Sequence, residues 1–356
     1  MDHHPRPDAG PAVPDPAGGA AVPGERFALR RRGLLRGAAL LGSAAAAGGF
    51  GGLAAAAPAH AGPAGFPNYR YVRDAFAGPL RYNPTGEMIF PCVRGVYDKI
   101  SNARGRYYLY YAPHDAPGGI CLAYADRLEG PYTEYPNNPI INRFLQGKAT
   151  VSHVSSPHVV WNAPTREFYL YFHGENHTTR VARSRDGINF TDITPILSTR
   201  LVPNTTETSY ARVFEHSVAG KGNRYVMLFM GAHTIRPGTR KIFWGWSPNG
   251  WDQWQFAPNP LVSPAGDGLT DIAAPHLLKR NNTTYVVYHG NDGRMRLTEV
   301  GNNFDREVHL GVFHTPIASD NGRVASPAFG TDGGVSYMIY EAGPRLGARI
   351  CVARAV

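Results

Sequence analysis

Ser156-Pro157-His158-Val159-Val160-Trp161 is followed, after a short polar gap, by Glu167-Phe168-Tyr169-Leu170-Tyr171-Phe172-His173. Then come Arg180-Val181-Ala182-Arg183 and the turn Ser184-Arg185-Asp186-Gly187, leading into Ile188-Asn189-Phe190. The runs are rich in β-branched and aromatic residues, the composition of strands. Asp-Gly between two such runs marks a tight hairpin. This order describes four short antiparallel strands.

The same order recurs along the chain. Phe90-Pro91-Cys92-Val93 precedes Tyr107-Tyr108-Leu109-Tyr110-Tyr111, and Tyr210-Ala211-Arg212-Val213-Phe214 precedes Tyr225-Val226-Met227-Leu228-Phe229. Ala274-Pro275-His276-Leu277-Leu278 precedes Tyr285-Val286-Val287-Tyr288-His289, and Ser326-Pro327-Ala328-Phe329 precedes Tyr337-Met338-Ile339-Tyr340. The copies start roughly 50–65 residues apart, a period that belongs to radial or stacked repeats. A lone four-stranded sheet cannot bury both faces, whereas five set around an axis can. The expectation is therefore an all-β, five-bladed β-propeller of four-stranded antiparallel blades. The terminal run Ile350-Cys351-Val352-Ala353 is expected to pair within the last blade. A β-sandwich is the rival, and the constant order within each unit disfavours it.

The rest of the composition agrees. The chain has 356 residues, 43% hydrophobic and 18% charged, which is enough to build a core and excludes global disorder. Residues 1–25 are rich in Pro, Gly, Ala and Asp and cannot supply core. Arg30-Arg31-Arg32-Gly33-Leu34-Leu35-Arg36 then leads into a weakly hydrophobic Ala/Gly/Leu run ending in Ala59-His60-Ala61. Paired arginines before such a run and a small-x-small end read as a twin-arginine export signal. The expected division is a leader over 1–61 and one propeller domain over 62–356. The expected location is extracellular, with no membrane partner after cleavage.

Six Arg and four acidic residues in 1–61 give +2, so the +9 chain leaves a body of +7. A basic body fits either an acidic glycan or simple solubility. The arginines are scattered and form neither stripe nor recognition helix, so nucleic acid is excluded as a partner. Three cysteines are too few for a disulfide framework, although Cys92 and Cys121 fall in one unit and could pair.

A proline near the start of an inner strand, a Tyr-Tyr-Leu strand and a Ser-x-Asp-Gly hairpin together resemble glycoside hydrolase family 43 and its five-bladed relatives. The resemblance spans roughly residues 85–345. Ala274-Pro275-His276 with Tyr288-His289 is its nearest stretch, similar to the Gly-Pro-Gly-His and Tyr-His pattern of the fourth blade in that family. By that match His276 is a candidate axial residue, linked to a structural calcium ion or a water; no other cofactor is implied. The resemblance further implies a polysaccharide or oligosaccharide substrate. The family's carboxylates before the strand proline are missing, since Phe90, Ser156 and about Ser209 occupy those places. The standard acid/base set therefore does not transfer.

Polar residues near the starts of the inner strands remain as candidates. For catalysis these are Glu207, His158, Arg212, Tyr210 and Asp115. For substrate binding they are His114, His173, Glu175, His216, Asp271 and His289, with Glu87 and His153 nearby. Glycosidic hydrolysis needs two carboxyl groups, and Glu207 is the preferred acid, being nearest to the family's blade-three Glu. A second chemistry is β-elimination on a uronate glycan, with His158 or Tyr210 as base and Arg212 as carboxylate clamp. A third reading is a sugar-binding propeller without catalysis. Trp244, Trp246, Trp251 and Trp254 read as blade packing before they read as a sugar platform. A monomer is expected.

Overall fold

The computed structural model describes residues 62–233 and 239–356. The expected leader over 1–61 lies outside the described residues. Five four-stranded antiparallel sheets are present. Among the described residues, helix is confined to three single turns, and no helix is long and apolar enough to cross a membrane.

Blade one runs through Ile89–Gly95, Tyr107–Ala112, Cys121–Ala125 and Thr133–Glu134. Blade two uses Ser155–Asn162, Glu167–His173, Thr178–Ser184 and Thr191–Ser198. Blade three is Thr205–Glu215, Tyr225–His233, Arg240–Ser247 and Gln255–Phe256, and blade four is Ile272–Arg280, Thr283–Gly290, Met295–Glu299 and Val308–His314. Blade five combines Val324–Asp332, Val335–Ala342 and Arg349–Ala355 with Tyr69–Asp74 as its outermost strand. Ile350-Cys351-Val352-Ala353 thus pairs within the last blade, as expected, and the first strand of the fold zips the ring shut. Each inner strand packs against the next, and that of blade five meets that of blade one.

Apolar layers between neighbouring blades form the core. Leu109 and Tyr111 of blade one share a cluster with Ile339 and Val352 of blade five, and Leu170 and Phe172 of blade two share one with Tyr108 and Tyr110. Both faces of every blade are therefore buried, which explains why the second strand of each repeat is apolar without a break instead of alternating.

The Ser-x-Asp-Gly hairpin does double duty. Ser184 Oγ accepts the Gly187 amide at 3.0 Å, and Asp186 Oδ1 accepts the Ile188 and Asn189 amides at 2.8 Å each. Gly187 has φ +71°, a conformation that glycine reaches without strain. Its carbonyl accepts the Tyr110 hydroxyl of blade one at 2.8 Å. Ser247, Asn249 and Gly250 repeat the turn in blade three, where the Gly250 carbonyl accepts Tyr171 of blade two at 2.7 Å. Trp244, Trp246, Trp251 and Trp254 pack blades: Trp244 lies 5.1 Å from Trp246 and 5.0 Å from Phe304, Trp251 5.3 Å from Tyr169, and Trp254 6.4 Å from Tyr171.

All three cysteines are free thiols. Cys92 and Cys121 do not pair, because Cys92 stands opposite Tyr110 and Cys121 opposite Tyr111 on the strand between them. Successive residues of a strand face opposite sides, and the two thiols accordingly lie in different clusters.

Candidate functional site

One residue near the start of each inner strand has positive φ: Phe90 (56°), Ser156 (54°), Tyr210 (54°), Ala274 (50°) and Ser326 (49°). The ladder to the second strand shifts register there in all five blades. These are β-bulges, which bend a strand and re-aim its side chains. Left-handed backbone in non-glycine residues costs on the order of 1–3 kcal/mol each and clusters where function needs it. Four of the five precede a proline, where helical dihedrals are further disfavoured. A five-fold ring of strain therefore encircles one end of the central channel. Its blade-three member is Tyr210, one residue beyond the position expected from the sequence. The Phe90 and Tyr210 rings meet at 4.6 Å, and the Ser156 and Ser326 hydroxyls are buried without partners.

Along the channel lies a polar plug. Arg212 is 4% exposed and bonds the His276 Nδ1 at 3.0 Å and the carbonyls of Pro91 and Ser326 at 3.4 Å each, with Pro327 as a further acceptor. His158 Nε2 lies 2.8 Å from the Val213 carbonyl and 3.1 Å from Arg94 Nη2. Burial first, and then the neighbouring guanidiniums, hold both imidazoles far below their ordinary pKa. His158, Arg212 and His276 thus converge as the repeat implied, but their polar atoms are spent on carbonyls and on one another. Arg212 has no terminal nitrogen left to clamp a substrate carboxylate. His276 does not fit a calcium ion, which takes carboxylate and carbonyl oxygens, because the nearest charges to its ring are Arg212 and Arg94.

The outward-facing polar groups form a funnel wall. In blade one, Glu87 is fully buried and accepts the amides of His114 and Asp115 at 3.2 and 3.3 Å. Arg345, from blade five, reaches across to Glu87 at 2.8 Å and His114 Nδ1 at 2.7 Å, and also meets Asp115. Asp115 Oδ1 lies 2.7 Å from His114 Nδ1 with its side chain 54% exposed. Burial opposes its charge, yet the His114 hydrogen bond and Arg345 together hold its carboxyl below the usual range. In blade two, Glu175 pairs with Arg180 at 3.2 Å, and His173 is sealed with both ring nitrogens unpartnered.

In blade three, Glu207 is 7% exposed, pairs with Arg240 Nε at 3.2 Å and accepts the Ser209 hydroxyl at 2.9 Å. Tyr210 on the same strand is pushed up to about 12, by burial and then by the Glu207 charge, with Arg240 and Arg345 opposing. In blade four, Asp271 accepts the Arg240 amide at 2.7 Å, and His289, half-buried with its buried Nδ1 unpartnered, feels Arg323, Arg212 and Arg240. Glu207 and Arg240 of blade three and Glu341 and Arg345 of blade five all act on Tyr210, so two blades supply charge to this part of the funnel.

His216 does not join them. The inner strand of blade three has eleven residues and His216 follows its far end, bonding the Asn302 carbonyl at 2.9 Å and stacking on Phe304 at 5.1 Å. The long bulged strand carries it to the opposite face. Arg345, Arg240 and Glu341 were not found from sequence: they sit in later strands or a loop of their blades, away from the inner-strand starts where polar residues were collected.

No protein-family model and no curated protein matches the sequence. Solved structures of the same fold do. An α-L-arabinofuranosidase from Lactobacillus brevis has TM-score 0.57 at 16% identity, covering 77% of this chain and 92% of that one. A thermostable family-43 glycoside hydrolase has TM-score 0.56 at 14% identity over 77% and 92%. An N-acetylgalactosamine deacetylase from F. plautii, in complex with blood group B trisaccharide, has TM-score 0.57 at 12% identity over 80% and 95%. The fold defined here is the five-bladed propeller. It is the fold that these solved structures share.

Proposed function

We propose that the chain is a carbohydrate-active hydrolase that cleaves a glycosidic bond at this funnel. The observation that carries the reading is Glu207: a nearly buried carboxylate at an inner-strand start, held by Arg240 and Ser209 beside Tyr210. A carboxylate held against a guanidinium suits the base or nucleophile, so the role expected from sequence, the acid, is exchanged. Tyr210, kept protonated, offers a hydroxyl donor to the departing oxygen, and Asp115 offers a second carboxylate from blade one. The similar solved structures include arabinofuranosidases and a xylanase, which supports a neutral plant polysaccharide or oligosaccharide as the first substrate to try. Elimination loses its clamp at Arg212. Export by the twin-arginine route before cleavage near Ala61 is part of the same proposal, and amino-terminal sequencing of protein recovered from culture medium tests it.

The deciding experiment incubates the chain with arabinoxylan, arabinan and acidic polysaccharides, reading reducing ends and ultraviolet absorbance. Reducing ends released by the parent protein and lost in Glu207→Gln, with an unchanged melting temperature, support the reading. Near-parental activity in Glu207→Gln overturns the assignment, and absorbance of an unsaturated uronate moves the chain to the lyases.

A further inference from the structure

Three histidines crowd the wall between blades one and two. His114 follows the second strand of blade one, His173 ends the second strand of blade two, and His153 precedes the inner strand of blade two. Their rings lie 4.6 Å (His114–His153), 5.4 Å (His153–His173) and 6.1 Å (His114–His173) apart, and one donor atom from each falls within 4.8 Å of the others. The backbone is built for this approach. A Cβ on Gly174 would stand 2.9 Å from the His153 carbonyl and 2.8 Å from Val151, so only glycine lets that loop lie against His173.

Two buried imidazoles and a partly buried one in contact are expensive unless something satisfies them. His173 is 1% exposed and neither of its nitrogens has a hydrogen-bond partner. His153 bonds Ser152 through Nδ1 at 2.9 Å, while its buried Nε2 makes no hydrogen bond of good geometry, with the Asn176 side chain close by. Ser155, which faces His173 across the ladder, has an unpartnered buried hydroxyl as well. Buried polar atoms in native proteins nearly always have partners, and a bound ion is one of the few explanations for a cluster without them.

We propose that His114, His153 and His173 bind one divalent transition-metal ion of the zinc class, with an open coordination position facing the funnel. Three imidazoles select zinc, cobalt or nickel over calcium and magnesium, which take oxygen ligands. Three protein ligands with an open fourth place is the pattern of sites that act on a bound water or substrate. Asp115, 2.7 Å from His114 Nδ1, supplies the carboxylate that orients a ligating histidine. Ligands about 2.1 Å from an ion stand roughly 3.4 Å apart, so binding draws the rings together, and His153, on a half-exposed loop, has the room to move. Two cations lie beside the cluster: Arg345, which Glu87 and Asp115 neutralise, and Arg180, which Glu175 pairs. The site stands whether or not the glycosidic reading holds.

The full chain, stripped with EDTA and dialysed, is titrated with Co²⁺ for visible absorption and with Zn²⁺ by calorimetry. The expected result is one equivalent bound, with the d–d bands of a four- or five-coordinate cobalt centre, and an affinity lowered at least about a hundredfold in both His153→Ala and His173→Ala. Because His173 is buried, its variant can fail to fold, and His153→Ala then decides. Parental Zn²⁺ affinity in His153→Ala, or no binding at micromolar metal, overturns the proposal. Glu207→Gln keeps the metal, which separates this result from failure of the glycosidic reading.

Discussion

The Arg345 guanidinium lies 2.8 Å from the Glu87 carboxylate, joining a loop of blade five to the entrance of blade one where the ring closes. Glu87 is fully buried and also receives the His114 and Asp115 amides, so the pair sets the height of the wall above it. Removing Arg345 leaves a buried carboxylate with amide donors and no countercharge. Because Arg345 is half exposed, solvent screens part of the loss. Arg345→Ala is expected to cost about 1–3 kcal/mol, read from urea unfolding. A change under about 0.5 kcal/mol means that the pair does not hold the wall.

Tyr110→Phe and Tyr171→Phe test how blades are stitched. Each tyrosine donates to a hairpin glycine carbonyl of the next blade. Each variant strands a buried carbonyl and is expected to cost about 1–2 kcal/mol. The two sites are in different blade interfaces, so the double variant should show the sum within about 0.5 kcal/mol. A double variant no worse than either single would show that the two bonds act as one unit.

The fold was legible because its signals are local and repeated. The Asp186-Gly187 turn, the unbroken apolar run Tyr107–Ala112 and the proline near the start of four of the five inner strands recur in order, and each states its own conformation. The site was legible only by position along the strand. Glu207, Asp115 and His173 were found because the starts of inner strands and the loops beside them face one mouth. His216 was misplaced because a bulge and an eleven-residue strand carry it to the other face. The ring of positive φ was invisible, since serine, alanine, phenylalanine and tyrosine do not advertise left-handed backbone as glycine does. Arg212 was offered as a carboxylate clamp, and its neighbours show it satisfying carbonyls around the axis. The grouping of His114, His153 and His173 depends on which blades adjoin, a fact that spacing along the chain does not carry.

Arg240 separates positioning from binding at the proposed centre. It fixes the Glu207 carboxylate through its guanidinium. Arg240→Gln is expected to lower kcat at least about tenfold while KM changes less than about threefold, the pattern of an interaction that matters in the transition state. Arg240→Lys should recover part of the loss. A raised KM with unchanged kcat would make Arg240 a substrate contact instead.

His309 gives the propeller a pH-dependent stability on the alkaline side. Its ring lies 3.1 Å from the Asp267 carboxylate and 3.0 Å from that of Glu307, and these bonds raise its pKa to about 9. A folded-state value above the unfolded one stabilises the protein fully below about pH 6.5, and that gain is lost as pH rises through 9. Asp267 and Glu307 are held below their usual range despite burial, so their contribution is already complete at pH 6. Unfolding free energy should therefore fall by about 1–2 kcal/mol between pH 6 and pH 10, after solvent screening of a partly exposed group. His309→Gln should flatten that slope. Gly266 leaves the space for the ring, since a Cβ there would stand 2.2 Å from it. Gly266→Ala should therefore lower stability at pH 6 more than at pH 10, and an equal loss at both would detach the glycine from the histidine.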